Sequence, residues 1–422
     1  MRVSLLLLLP LLALAQTPVH LTLREAIETA LRQNPAVIAA RQSLDASDAR
    51  IRQARAGYFP QLGFSGVAKA GLSGAVNGLG LVGLPNSPFY RNFADSVNAS
   101  QSLFDFGRTK HLVASERKLR NAAEAEVAVA EAEVILRVER AYYGVLSAQR
   151  LREVTAEIVR NREATVRQAQ AFYEGQLRSR VELDLARASL SRAQLQATEA
   201  ENRVEIAVAS LGAALGGAPD AEYDLETPDL KVPEVESAGS LIDEAWRLRP
   251  ELQSLSSERQ AAAEQVEFVK SQRKPLLNLV FSGGYARFTD VLARQLLAGG
   301  AGLALPLFTG GRIEGQIEEA EAQLRVFDSR EELLKQQIAL EVRAAWLQLK
   351  NAIDSLPTLR LQTEYSRNAA RLADERYREQ IGSFVDLSTA QLAVAEASTS
   401  ESSGLYDLKV REAELRRAVG RR

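Results

Sequence analysis

The sequence carries Leu103-Phe104-Asp105-Phe106-Gly107-Arg108 and repeats this pattern 204 positions later as Leu307-Phe308-Thr309-Gly310-Gly311-Arg312. The same offset places Val138–Tyr142 over Val342–Trp346 and Gly216 over Gly420. Self-similarity at a fixed spacing indicates an internal duplication. Each copy therefore contains an apolar strand that passes through a Gly-Arg pair into a long helix.

The duplication also sets the domain boundaries. Ala30–Pro35 matches Ala245–Pro250 at the larger offset of 215, so the second copy has a shorter loop between its two strands. We assign residues 16–216 to the first repeat and 240–422 to the second. Residues 217–239 have the proline-rich composition of a linker, which we expect to be equatorial.

Residues 1–15 have the pattern of a secretory signal peptide. Arg2 precedes an apolar run over Ser4–Leu14, and Ala13-Leu14-Ala15 forms a small-x-small cleavage site. An apolar run of about 11 residues is too short to cross a bilayer core of about 30 Å as a helix. We therefore expect the mature chain to be exported.

Each repeat has the same predicted order of elements. In each repeat, two helices are followed by a proline and then by a pair of strands. The strands are predicted at about 62–70 and 93–104 in the first repeat and at about 276–288 and 297–308 in the second. Apolar positions then recur at heptad spacing, which predicts long helical hairpins over 107–215 and 311–419. At about 1.5 Å per residue, the 67 residues from Gly107 to Tyr173 would extend about 100 Å. Pro357 lies inside the second long helix, where we expect a kink.

Composition excludes several classes of function. Lys and Arg number 52 against 54 Asp and Glu, which gives no electrostatic reason to expect a nucleic-acid partner. There is no Cys, and His20 and His111 are the two histidines. Without a Ser/His/Asp set, a phosphate-binding glycine loop or a metal-ligand cluster in the sequence, we expect neither an enzyme nor a cofactor.

The strands are too few for a closed barrel. Four per chain fall short of the practical minimum of about eight, and an open sheet edge cannot lie in lipid. Strands of 9 to 13 residues suit a tilted transmembrane barrel, which needs about 9–11. Three chains of four strands each would close a 12-stranded barrel continuous with a 12-helix tube. The predicted fold is therefore mixed α and membrane β.

Taken together in order, duplication and spacing, these motifs resemble the TolC-like outer-membrane efflux family. Tyr58-Phe59-Pro60-Gln61-Leu62, Asn34-Pro35 and Arg249-Pro250 belong to the same resemblance, which covers essentially the whole mature chain. It implies a homotrimer with a β-barrel in the outer membrane and a long periplasmic α-helical tunnel. It also implies a tip that docks a periplasmic adaptor coupled to an inner-membrane transporter. The implied function is a passive exit duct of a tripartite efflux or type I secretion system.

The resemblance carries over only in part to the tip. Members turn each hairpin at an aromatic-x-x-Gly motif, represented here by Phe172 to Gly175 and by Tyr377 to Gln380, with Gln380 at the expected glycine. Asp386 is a candidate for a ring of carboxylates at the tunnel mouth, with Glu182 and Arg187 as a charged latch; the alternative is that all three are ordinary solvated charges. The candidates for adaptor docking are Gly175, Ser179, Gly382 and Ser383.

Aromatic residues near the strands predict a membrane-interface belt. They are Tyr58, Phe59, Phe89, Tyr90, Phe93 and Phe288. Alternatively, Tyr58 and Phe59 pack against the strand–helix junction. Two other classes stay open: an exported soluble helical scaffold, which detergent dependence would distinguish, and an adaptor, which would be expected to carry a single hairpin. The exported substrate and the particular transporter cannot be inferred from the sequence.

Overall fold

The computed structural model describes residues 19–72, 89–217, 223–228, 231–288 and 291–421. The predicted signal peptide lies outside these ranges and stays a prediction. The chain divides into two compact units. Unit 1 comprises the described residues of Met1–Ala40, Val127–Pro250 and Lys335–Arg422, and unit 2 those of Arg41–Glu126 and Glu251–Leu334.

The two repeats contain the same helices. The first repeat has α1 (Leu23–Gln33), α2 (Pro35–Arg55), α3 (Arg108–Glu174) and α4 (Arg180–Leu215). The second has α5 (Ala238–Leu248), α6 (Pro250–Ser271), α7 (Arg312–Arg378) and α8 (Phe384–Val419). Both long helices have 67 residues and both returning helices have 36. The offset of 204 is therefore exact over the two hairpins.

Pro357 lies within α7, which is continuous over its full range. The expected kink stays a prediction. None of the helices in the described part of the chain has the length and hydropathy that a membrane-crossing helix requires.

Unit 2 contains an antiparallel sheet in the order β2-β3-β5-β6. Its strands are β2 (Gln61–Leu72), β3 (Phe89–Phe104), β5 (Leu276–Phe288) and β6 (Val291–Ala304). Within the described residues, β2 and β6 each have one neighbour, so the sheet has two open edges.

The strand bounds differ from the sequence-based expectation by more than two residues in two strands. β3 begins at Phe89 rather than near residue 93, and β6 covers 291–304 rather than 297–308. The predicted end of β6 was wrong because Pro306 has no N–H to donate to the ladder. Leu307 and Phe308 consequently lie beyond the strand, with 88% and 89% of their surface exposed.

The segment Asp105–Arg108 of the repeated motif builds the corner between β3 and α3. Asp105 accepts hydrogen bonds from the backbone N–H groups of Gly107 at 2.9 Å and Thr109 at 2.8 Å. Partial burial raises the pKa of Asp105, but the hydrogen bonds from Thr109 and Gly107 outweigh it and hold that pKa below its ordinary value. The guanidinium of Arg108 donates to the carbonyls of Gln272 and Lys274 at the end of α6. The motif thus fixes the start of a long helix against a neighbouring one.

Unit 1 contains a pairing that the sequence did not indicate. Strand β1 (Val19–Leu21) runs parallel to β4 (Tyr223–Leu225), and the hydroxyl of the buried Tyr142 donates to the carbonyl of Leu21 at 3.0 Å. The predicted linker 217–239 was therefore wrong in part, because it contains β4 and the first residues of α5, which begins at Ala238. Residues 218–222 and 229–230 of that linker lie outside the described ranges.

The repeated proline motif docks each short helix onto a returning helix. Asn34 donates to the carbonyl of Ala214 at 2.8 Å, and Arg249 donates to that of Ala418 at 3.1 Å. These carbonyls lie in the last turns of α4 and α8, which are capped by glycines at φ +80° (Gly216) and +85° (Gly420). A Cβ on Gly216 would lie 2.8 Å from the Cα of Asn34. The glycine is therefore needed for this approach as well as for its backbone conformation.

Candidate functional site at the hairpin turns

The two hairpins reverse direction at turns of equal length, both in unit 1. We name residues 175–179 turn 1 and residues 379–383 turn 2. Gln176 N–H donates to Tyr173 O and Gln380 N–H donates to Tyr377 O, and both glutamines have positive φ, at 59° and 67°. The expected match of Gly175 with Gln380 was therefore wrong by one residue, because the residue equivalent to Gln380 is Gln176. Left-handed backbone in each turn is supplied by glutamine.

An apolar cluster joins the two hairpins beside these turns. Tyr377 is fully buried, and its ring makes edge contacts with Phe172 at 5.5 Å and Phe384 at 6.0 Å between centroids. Leu183 of α4 and Leu387 of α8 belong to the same cluster. Because aromatic pairs in this geometry stabilise each other beyond simple area burial, the cluster holds the two turns in a defined relation.

A partly buried polar contact lies beside the cluster. The Tyr377 hydroxyl donates to Oε2 of Glu182 at 3.3 Å. Burial, together with the charge of Glu182 and this hydrogen bond, raises the pKa of Tyr377 to about 12. The phenol therefore stays protonated as a donor over the physiological range.

Arg178 connects turn 1 to turn 2 through the backbone. Its Nη2 donates to the carbonyl of Gln380 at 3.1 Å and to that of Gly382 at 2.8 Å. The guanidinium also lies 5.6 Å from the Tyr377 ring centroid and 3.5 Å from Oε1 of Glu182. We call this set of contacts the Arg178 clasp. Sequence reasoning missed it because the carbonyls that Arg178 caps have no side-chain signature.

The structure separates the predicted latch residues. Glu182 belongs to the clasp, whereas the Arg187 guanidinium donates to Gln170 at 2.9 Å and lies 3.9 Å from Asp184. Residues five apart on a helix do not share a face, as residues three or four apart do. A direct contact between Glu182 and Arg187 is therefore absent from this chain's described residues, and Arg178, four positions before Glu182, makes the ion pair.

Asp386 is the equivalent of Glu182 in the second repeat, but its surroundings differ. Its carboxylate is exposed and pairs with no basic side chain among the described residues. Its backbone N–H donates to Ser383 Oγ at 3.1 Å, so Ser383 caps α8, while Ser179 occupies the same position of α4 without a side-chain bond.

The docking candidates lie at the surface of the turns. Gly175, Ser179 and Ser383 are exposed and Gly382 is half-buried. Exposed aliphatic side chains flank them at equivalent positions of both turns, with 54% to 66% of their surface exposed: Leu177, Val181, Ile381 and Val385. The repeat offset pairs these four residues and could have identified them from the sequence.

The aromatic candidates belong to unit 2. Tyr58 and Phe59, just before β2, have 51% and 64% of their surface exposed. Phe89, Tyr90, Phe93 and Phe288 lie on strands, and their side chains are outside the described part of the structure. Over the described residues there is no group of three or more His, Asp or Glu side chains that could hold a metal ion.

Comparison with known proteins agrees with this fold. The chain belongs to the outer membrane efflux protein family, whose model matches residues 26–217 and 241–421. It is 27% identical to the protein CyaE of Bordetella pertussis over 77% of this chain and 67% of that protein. It is 24% identical to the outer membrane protein TolC of Vibrio cholerae over 77% and 76% of the two chains. The outer membrane protein VceC of Vibrio cholerae has the same fold, with a TM-score of 0.77 and 21% identity over 94% of this chain and 96% of that chain.

The resemblance to TolC-like proteins is therefore confirmed. The chain is an outer-membrane efflux protein with a long periplasmic helical portion. Members of this family are channel proteins.

Proposed function

We propose that three copies of this chain form the exit duct of a tripartite efflux or type I secretion system. The proposal rests on the sheet β2-β3-β5-β6, whose two outer strands have no further neighbour among the described residues. Strand β6 of one copy would run antiparallel to β2 of the next, which satisfies both edges. Three copies would then close a 12-stranded β-barrel in the outer membrane and a 12-helix periplasmic tunnel.

Exposed apolar residues on the edge strands support this assembly. Leu62 and Phe64 alternate along β2, and Leu297 and Leu303 lie on β6, each with at least 70% of its surface exposed. Such side chains on a sheet face are unfavourable in water and favourable in lipid. Tyr58 and Phe59 at the start of β2 suit the interface between lipid and water.

We place the aperture of the duct at turns 1 and 2. Threefold symmetry would bring three Asp386 carboxylates into a ring, and because each lacks a basic partner among the residues that the structure describes, the ring would attract cations. Glu182 is already paired with Arg178 and Tyr377, so it contributes less to that ring. The flanking Leu177 and Ile381 would give an adaptor protein an apolar surface to dock against.

Single-channel recording in planar bilayers tests the pore. We expect a conductance that favours cations, and Asp386→Asn should reduce that preference. Asp184→Asn is the matched control, because Asp184 lies near the same tip but is paired with Arg180 at 3.6 Å. Absence of conductance in the wild type, in Asp386→Asn and in Arg178→Ala would exclude a channel.

Two further measurements test the assembly and the docking. Native mass spectrometry in detergent should give three copies of the chain, and a protein that stays monomeric and soluble without detergent would favour the helical scaffold instead. Because the chain has no Cys, single cysteines at Leu177 and Ile381 can be used for crosslinking to an adaptor. Equal crosslinking from a cysteine at Leu195, which is exposed on α4 away from the turns, would contradict docking at the tip.

A further inference from the structure

A cavity in unit 1 lies where α3 meets α7 and α8. Its volume is about 370 Å³, and its wall includes Asn161, Arg162, Asp374, Arg378 and Gln391. It is lined by helices and not by the turns themselves: Arg162 precedes the end of α3 at Glu174 by 12 residues, while Arg378 is the last residue of α7, directly before turn 2. Apolar side chains such as Ile158 and Val394 share the lining with the polar ones, so the cavity would hold an occupant through its polar groups.

Arg162 is the unusual residue of this wall. Only 6% of its surface is exposed, although it carries a permanent charge. Its hydrogen bond runs from Nη1 to Oε1 of Gln391, a neutral acceptor. The Gln391 amide in turn donates to Thr165 Oγ1 at 3.1 Å, which fixes its carbonyl towards the arginine. Among the described residues, no carboxylate forms an ion pair with Arg162.

A buried charge without a counter-ion is costly, by several kcal/mol for each ion removed from water. Burial, with a contribution from the charge of Arg192, lowers the pKa of the Arg162 guanidinium. An arginine side chain nevertheless stays protonated in proteins, so neutralisation by proton loss is not open to it. A negative group from outside the described residues would therefore stabilise this charge.

The other charges of the cavity wall do not supply that partner. Asp374 is paired with Arg378 at 2.7 Å, and this pair is neutral as a whole. Two arginines against one aspartate leave a net charge of +1 on the wall, which resides on Arg162. The amide groups of Asn161 and Gln168 line the same cavity and can donate further hydrogen bonds to an anion.

We propose that this cavity is a binding site for a small oxyanion or carboxylate, held by the Arg162 guanidinium. Charge-assisted hydrogen bonds to oxyanions are among the stronger polar contacts in proteins. Because Arg162 is on α3 and Gln391 and Asp374 are on α8 and α7, a bound anion would link the first hairpin to the second. The site would thus couple anion occupancy to the stability of the pair of hairpins.

Equilibrium dialysis with radiolabelled sulfate on the full-length protein in detergent tests this directly. We expect saturable binding of one sulfate per chain, and Arg162→Met should weaken it at least about tenfold, the loss of one charged hydrogen bond. Arg160→Gln is the matched control: it removes an exposed arginine two residues away on α3 and should leave binding unchanged. Absence of saturable binding, or equal binding by wild type and Arg162→Met, would overturn the proposal and indicate a counter-charge from another source, such as a carboxylate of a neighbouring copy.

A second variant keeps the test informative if Arg162→Met does not fold. Gln391→Glu places a carboxylate where Gln391 Oε1 already accepts from Arg162. It should abolish sulfate binding and raise the unfolding midpoint in sulfate-free buffer. The midpoints must be compared with Arg160→Gln at matched ionic strength, because sulfate stabilises folded proteins generally. Retention of full sulfate binding by Gln391→Glu would contradict the site.

Discussion

Replacing Arg178 with alanine should loosen turn 2 without disturbing turn 1. The two hydrogen bonds to the Gln380 and Gly382 carbonyls come from a charged donor, and bonds of this kind contribute about 1.5–3 kcal/mol each. Both hydrogen bonds come from the same Nη2, and in the alanine variant water can hydrogen-bond to the two carbonyls instead. We therefore assign about 2 kcal/mol to the two bonds together. The stacking over Tyr377 adds about 0.5–1 kcal/mol. The pair with Glu182 is 3.5 Å long, beyond hydrogen-bond length for a charged pair, so we count about 0.5 kcal/mol for it. The clasp as a whole is worth about 3 kcal/mol.

Hydrogen exchange followed by mass spectrometry measures this local stability. The Ile381 and Gly382 amides both donate to Arg376 O and should be protected in the wild type. A loss of about 3 kcal/mol corresponds to roughly 100-fold faster exchange of these amides. Leu177, whose amide donates to Phe172 O in turn 1, is an internal reference and should change far less.

The control for this experiment is Arg180→Ala. Arg180 follows the same turn, has 74% of its side chain exposed and pairs with Asp184 at 3.6 Å. An exposed pair of this kind contributes less than about 0.5 kcal/mol, so exchange in turn 2 should change by less than about threefold. If Arg178→Ala behaves like Arg180→Ala, the clasp does not hold turn 2 and the assignment of Arg178 is wrong.

Three further changes give distinct outcomes. Tyr377→Phe should lower the free energy of unfolding by about 0.5–1.5 kcal/mol, since only the hydrogen bond to Glu182 is lost. Tyr377→Ala should lower it by about 3–5 kcal/mol, because the ring is fully buried. Equal losses in chemical denaturation would contradict this account. Asp105→Ala should cost about 1–2 kcal/mol at neutral pH, as loss of a helix cap does. Because the pKa of Asp105 is lowered in the folded state, its stabilisation is present above the ordinary aspartate pKa and is lost as pH falls through the folded-state pKa. The difference in unfolding free energy between the wild type and Asp105→Ala should therefore disappear in acid. A difference independent of pH would exclude the cap. Pro357→Ala should raise the free energy of unfolding by up to about 3 kcal/mol; a decrease would show that the proline fixes a bend on which packing depends.

Local signals in the sequence are sufficient to predict the helices. Thr22 and Glu25 form a reciprocal capping box at the start of α1, and this pattern can be identified before any coordinates. The heptads and the offset of 204 likewise predict both hairpins, because each signal lies within the helix that it describes. The shorter β6 could also have been predicted, since Pro306 excludes a ladder hydrogen bond.

The contacts that the sequence did not reveal join segments far apart in the chain. Strands β1 and β4 are three residues each, too short to carry a period-2 pattern, and about 200 residues separate them. Arg178 caps backbone carbonyls, which every residue possesses, so no residue type marks its partners. Glu182 and Arg187, the predicted latch pair, are five residues apart, and the helix places the two on different faces.

The two repeats carry different residues where their turns meet. Within one chain, the junction between turn 1 and turn 2 contains Arg178, Glu182 and Tyr377. In the proposed trimer, turn 2 of one copy would meet turn 1 of the next, and the equivalent positions there are Gly382, Asp386 and Tyr173. Gly382 has no side chain to cap carbonyls as Arg178 does, and Tyr173 has 39% of its surface exposed in the single chain. Clasped junctions would alternate with unclasped ones around the ring, so opening would separate neighbouring copies before it separates the hairpins of one copy. Since Arg178→Ala and Asp386→Asn would then act on different junctions, their effects on conductance should add.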